Sequence, residues 1–187
     1  MKCILNSFLV SILVLSVYFG VLRYTDIPDR VLLNGRLVYV EGVTYDDVWE
    51  AYDNLPPEIL EMLQSGYTIY IVDKIEDNKL VTGRVMYGPK IIEICHKTYD
   101  AEYVFYHECG HVLDVESSIF GMISDTDEFE EIYTEEKYTV IMDYNYEYGI
   151  STKEEYFASC FAEYITNPER LKASAPKTYQ FIENCLK

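Results

Sequence analysis

"YVFYHECGHVLDV", residues 103–115, holds two of the chain's three histidines four positions apart, with a glutamate directly after the first. On a helix each residue advances about 100°, so His107 and His111 lie roughly 40° apart on one face and about one turn apart along the axis. That spacing lets both imidazoles reach one Zn²⁺ and sets Glu108 beside them, where it can take a proton from a water on the metal. The flanks suit a buried helix. Val104, Phe105 and Tyr106 precede the pair, Cys109 and Gly110 lie within it, and Val112 and Leu113 follow. The alternative is an ordinary buried helix that spells the motif by accident. With 3 His in the chain, composition alone gives roughly 0.005 occurrences of H-E-x-x-H, so the search turns to a third ligand.

The remaining histidine, His96, ends a predicted strand and reads as structural. Asp114 returns to the face of His107 seven residues on. It suits either a partner that holds a histidine ring or a plain helix-end acid, because three ligands from one straight helix rarely converge on a metal. A better source is "YGISTKEEYFASCFAEYI", residues 148–165. Ser151 or Thr152 can cap a helix there, with Glu154 and Glu155 in its first turn. Phe157, Phe161, Tyr164 and Ile165 form its apolar stripe, and Glu155 points to the other side, near Ser159 and Ala162. Two readings stay open at this point. Glu155 and Glu163 are the wet side of an amphipathic helix, or this face meets the zinc helix, with small Ala158, Ser159 and Ala162 permitting close approach and Glu155 reaching the metal.

Around these segments the chain reads as one α+β unit without repeats. "LLNGRLVYVEGVT" (32–44) has Asn34-Gly35 between β-prone runs and predicts a hairpin. Two short helices follow over 44–55 and 56–66, the second begun by Pro56-Pro57 and ended at Gly66. Strands are expected over 67–73, 80–88 and 90–96, the last two joined by a turn at Gly88-Pro89. Helical patterns then cover 101–115, 127–139, 152–166 and 175–186.

Ahead of this unit, Lys2 and the apolar run 3–22 read as an export signal peptide or, equally, a membrane anchor of near-minimal length. A linker spans 23–31, and the working domain 32–187 is expected outside the cytoplasm. The formal net charge is −17, which disfavours nucleic acid as a partner. Much of that charge lies in "DTDEFEEIYTEEKY" (125–138), a solvated helix face without EF-hand spacing. Cys95, Cys109, Cys160 and Cys185 make no C-x-x-C pair, and in an exported protein they permit one or two disulfides.

"HECGHVLD" followed by "YGISTKEEYFASCFAEY" resembles the catalytic domain of the anthrax lethal factor family of zinc endopeptidases, most of all the small secreted bacterial Pro-Pro endopeptidases. The end, "PKTYQFIENCLK", resembles that group's last helix. The resemblance implies a zincin-like fold and one Zn²⁺ per chain held by His107, His111 and Glu155. It further implies Glu108 as general base, Tyr148 as hydrogen-bond donor to the oxyanion, and a monomer acting on protein or peptide substrates with proline near the cut. There are departures. Ser159 stands where the family usually has another glutamate, no tryptophan occurs between 50 and 107, and four cysteines are more than the group usually has. A non-catalytic zincin-fold module that docks a protein partner is the alternative function, and a membrane-anchored protein whose helices only pack is another.

Overall fold

The computed structural model describes residues 31–33, 36–38, 45–72, 75, 81–95, 98, 100–118 and 121–187. The signal or anchor segment, nearly all of the linker, Asn34-Gly35 and His96 lie outside the described residues. Strands β1 (Val31–Leu33) and β2 (Arg36–Val38) pair antiparallel, with Leu33 opposite Arg36, on either side of that Asn-Gly. Among the described residues no helix is long and apolar enough to cross a membrane.

The main sheet has the order β3 (Thr68–Val72), β5 (Ile91–Cys95), β4 (Gly83–Met86). Strand β5 is central, parallel to β3 and antiparallel to β4, and β4 forms an edge. A four-residue turn, 87–90, joins β4 to β5, and Lys90 takes a positive φ of 53° there. Strand residues alternate between faces, so the register places Ile69, Ile71, Ile92, Ile94, Val85 and Gly83 on one side. The four isoleucines are at most 1% exposed. On the opposite face Arg84 pairs with Glu93 at 2.6 Å.

Helices α1 (Tyr45–Asp53) and α2 (Pro57–Gln64) precede this sheet. Pro56 and Pro57 start α2, where a missing N–H costs nothing, and Gly66, at φ 143°, ends the turn after it. Helix α3 (Ala101–Glu116) runs through the middle of the molecule, with the Asp100 side chain accepting from the Tyr103 N–H at 2.9 Å as its N-cap. Packed on several sides, it buries eleven of its sixteen residues. Phe105, Val112 and Leu113 are fully buried, and each such side chain stabilises the fold by about 1.5–3 kcal/mol.

The helical half continues with α4 (Asp127–Glu136), α5 (Tyr146–Gly149), α6 (Lys153–Thr166), α7 (Pro168–Ser174) and α8 (Pro176–Cys185). Helix α4 stops three residues short of the sequence expectation. Its solvent face carries the acids as expected, with one exception. Glu136 is buried and accepts from the Lys177 N–H, the Thr178 N–H and the Thr178 hydroxyl at 3.0, 2.9 and 2.8 Å. It thereby satisfies the open first turn of α8, whose own cap position, Ala175, has no side chain to do so. Helix α7 was not foreseen; Pro168 and Pro176 mark its start and that of α8.

No disulfide joins Cys95, Cys109, Cys160 and Cys185, although their number permits one or two. Cys109 and Cys160 are instead fully buried packing groups on α3 and α6, and burial pushes both thiols up.

Candidate metal centre

Helices α3 and α6 cross at unusually short range because Gly110 faces Ala158. A Cβ on Gly110 would lie 2.7 Å from the Ala158 Cα and 3.0 Å from its carbonyl oxygen. Of the small residues noted on α6, Ala158 is the one that meets Gly110 at this crossing. Of the two readings left open for α6, the solvated face does not hold. The helix has no wet side over 156–163: all eight residues are buried, Glu163 completely.

Thr152 caps α6, its hydroxyl accepting from the Glu155 N–H at 3.3 Å, and this seats Glu155 in the first turn against α3. Its Oε2 lies 3.1 Å from His107 Nε2 and 3.6 Å from His111 Nε2, and the two imidazole nitrogens are 3.2 Å apart. Ligand atoms about 2.0–2.1 Å from a common tetrahedral centre stand roughly 3.4 Å from one another. The three donors thus have the spacing of a metal triad. Glu155 Oε2 is also buried without an aligned hydrogen-bond donor, an arrangement a cation would satisfy. His107, His111 and Glu155 are the one such group of His, Cys, Asp and Glu among the described residues.

Electrostatics agree with the geometry. Burial pushes the Glu155 carboxyl up, but the imidazoles of His107 and His111 and the Tyr148 hydroxyl outweigh it and hold Glu155 well below the usual carboxylate range. Burial lowers His107. His111 is raised, because the carboxylates of Glu155, Glu108 and Asp114 outweigh its burial. Burial also pushes Glu108 up to about 7, with His111 opposing and Glu155 adding. A base poised near neutrality is suited to proton transfer.

The Ser159 hydroxyl lies 3.2 Å from His107 Nδ1. By holding that nitrogen it leaves Nε2 directed at the other donors, the support the sequence put in doubt when it showed no glutamate at this position. Asp114 does something other than hold a ring. Buried at 1% exposure, it accepts from the Ser124 N–H and hydroxyl, both at 2.7 Å, and so pins the short 3₁₀ turn Ile123–Asp125 to the end of α3.

Tyr148 reaches the site from α5, its ring 6.3 Å from that of His107 and its hydroxyl toward Glu155. The segment that carries it is tied from beneath by Glu163, which accepts from the Asp143 N–H at 2.7 Å and from Arg170 Nη2 at 2.5 Å. Arg170 also donates to Asp143. A cavity of about 150 Å³ opens beside His107 and Glu108, walled by Gly83, Tyr103, Val104, Tyr144 and Asn145. Asn145 holds a left-handed backbone, φ 36°. On the strand side, burial and then the charges of Asp114, Glu108 and Glu155 push the Tyr87 phenol up to about 12. Tyr87, Tyr144 and Asn145 were not singled out by any motif; Tyr103 was within reach of sequence reasoning, since it stands four residues before His107 on the same helix and so shares its face.

The sequence profile of the family described as anthrax toxin lethal factor, N- and C-terminal domain, matches residues 89–185, a stretch that contains every residue of the centre. The chain belongs to the anthrax toxin lethal factor family. Among solved structures it is similar to the Pro-Pro endopeptidase from Paenibacillus alvei, with a TM-score of 0.56 and 19% identity over 75% of this chain and 91% of that one. The shared fold is α+β, a small three-stranded sheet with mostly helices. No curated protein matches. Within the family, then, this member has its three donor groups and its adjoining glutamate in one cleft, with Ser159 behind the first histidine.

Proposed function

We propose that the chain is a zinc-dependent endopeptidase of the gluzincin type, one Zn²⁺ per monomer, acting on protein substrates outside the cytoplasm. The observation that carries this reading is the convergence of His107, His111 and Glu155 with Glu108 alongside, in a chain of the lethal factor family. Zinc bound by the three donors would polarise a scissile carbonyl and lower the pKa of a water.

The chain's own residues do the rest. Glu108, buried at 5% exposure and raised toward neutrality, takes the proton of the attacking water and returns it to the leaving amine. Tyr148, about half exposed at the mouth of the cleft, donates a hydrogen bond to the oxygen on which charge develops. Ser159 keeps the His107 ring in its orientation. Among the described residues β4 is an edge strand, and its outer side offers main-chain groups to an extended peptide, which would run past Glu108. The similar solved structure is named a Pro-Pro endopeptidase, and this supports proline near the cut in the present case. The apolar segment 3–22 acts as a signal peptide or a tether, which puts the cleft on the outer side of a membrane.

Cleavage profiling of a mixed peptide library by mass spectrometry tests the reading, with Glu108→Ala as blank. The expected result is a set of cuts made by the zinc-loaded protein and reduced at least about 10³-fold in the blank, with proline flanking the scissile bond. Cuts of equal yield from the blank, or a library left intact, would return the chain to the reading of a docking module.

A further inference from the structure

Strand β4 begins at Gly83, opposite Ile94 and on the sheet face that looks toward α3. A Cβ at this position would stand 2.3 Å from Glu108 Oε1, 2.9 Å from Glu108 Cδ and 2.7 Å from Val104 Cγ1. Cβ atoms do not approach other atoms so closely, so every other L residue here would force Glu108 or the strand to move. The glycine is not called for by its torsions, since Gly66 and Gly121 are the described glycines with left-handed φ. It answers a need for room. Glycine inside a strand costs stability, and its presence there marks close approach of another group.

We propose that Gly83 is the positioning residue of Glu108: the bare main chain of the edge strand forms the floor on which that carboxylate rests. The proposal builds on the peptidase reading, in which Glu108 is the base. Glu108 is 5% exposed and fenced on its own helix by Val104 one turn earlier, itself 4% exposed. A side chain at 83 would drive the carboxylate out of line with His107 and His111 or into the cavity that Gly83 also walls. The same bareness has a second consequence. With nothing projecting from residue 83 toward α3, an extended peptide pairing along the outer side of β4 passes within reach of the base. One residue therefore seats the base and leaves the path of the peptide beside it clear.

Two measurements test this. The first is a thermal-stability cycle on the metal-free full chain: Gly83→Ala introduced into the wild type and into Glu108→Ala. If the floor exists, the loss of Tm caused by Gly83→Ala falls by about half or more once the carboxylate is gone; an equal loss in both backgrounds overturns the proposal. The second removes the other clash first. Gly83→Ala/Val104→Ala is compared with Val104→Ala alone, with zinc stoichiometry measured on both. The expected result is one zinc per chain in each, kcat lower by about tenfold or more in the double variant, and KM within about twofold. A kcat within about twofold of Val104→Ala, with zinc retained, overturns the proposal. A wild type that cleaves no peptide sinks the peptidase reading, and the stability cycle still decides whether Gly83 seats Glu108.

Discussion

Helices α3 and α6 set His107, His111 and Glu155 through contacts that leave no slack, whereas the segment 137–149, which brings Tyr148, is held at a more open surface by scattered packing contacts and polar ties. In the first region Gly110 and Ala158 are in backbone contact and residues 156–163 are all buried. In the second, Tyr138 is 73% exposed and Ile141 54%, although Val140 between them reaches the core at 3%, and the polar anchors include the Glu163, Arg170 and Asp143 group and a bond from the Ile141 N–H to the Ser174 hydroxyl. The difference separates two requirements of the chemistry. Metal donors must keep a fixed spacing before any ligand arrives, so packing holds them. A hydroxyl that meets the substrate needs only to be in place when it binds, and hydrogen bonds on a surface segment suffice.

Changes should therefore act differently in the two regions. Gly110→Val attacks the crossing itself, placing a branched side chain into the Ala158 backbone. We expect it to cost about 3 kcal/mol in denaturant unfolding and to abolish zinc binding together with activity. Tyr148→Phe, in the second region, should leave stability and zinc content as they are and lower kcat about 10²-fold; a large change in Tm would show that the hydroxyl is structural. Arg170→Ala would leave the fully buried Glu163 without its cation. The expected cost is about 3 kcal/mol, read by hydrogen exchange as faster exchange of residues 140–149, while the amides of α3 stay protected. Equal loss of protection in α3 would mean that the two regions are one cooperative unit.

The same division explains what could be read from the sequence. His107, His111 and Glu108 stood out because four residues is a helical repeat, and helix α3 is long and apolar enough to fix it. The sheet pattern and the helices at 101–116 and 153–166 followed from periodicity and caps that act within a few residues. A solvated Glu163 stayed open as one of two readings because a one-dimensional pattern knows only its own helix; Arg170 and Asp143 reach it from 7 and 20 residues away in the chain. For a similar reason neither open reading of Asp114 included its partner Ser124, ten residues further along the chain. Helix α7 is 7 residues long between two prolines and has too little periodicity to be seen. Gly83 is the extreme case. Its meaning lies in an atom it lacks, and only the neighbour 2.3 Å from that place reveals it.

The central claim is that two helices, packed before any ligand binds, hold one metal ion with two imidazoles and one carboxylate. Native mass spectrometry of the purified chain against Glu155→Ala, after dialysis with zinc, tests it most directly. One zinc per chain in the wild type, and at least a 10-fold to 100-fold weaker hold in the variant, is the result the account predicts. A wild type that binds no zinc, or a variant that binds it as tightly, would contradict it.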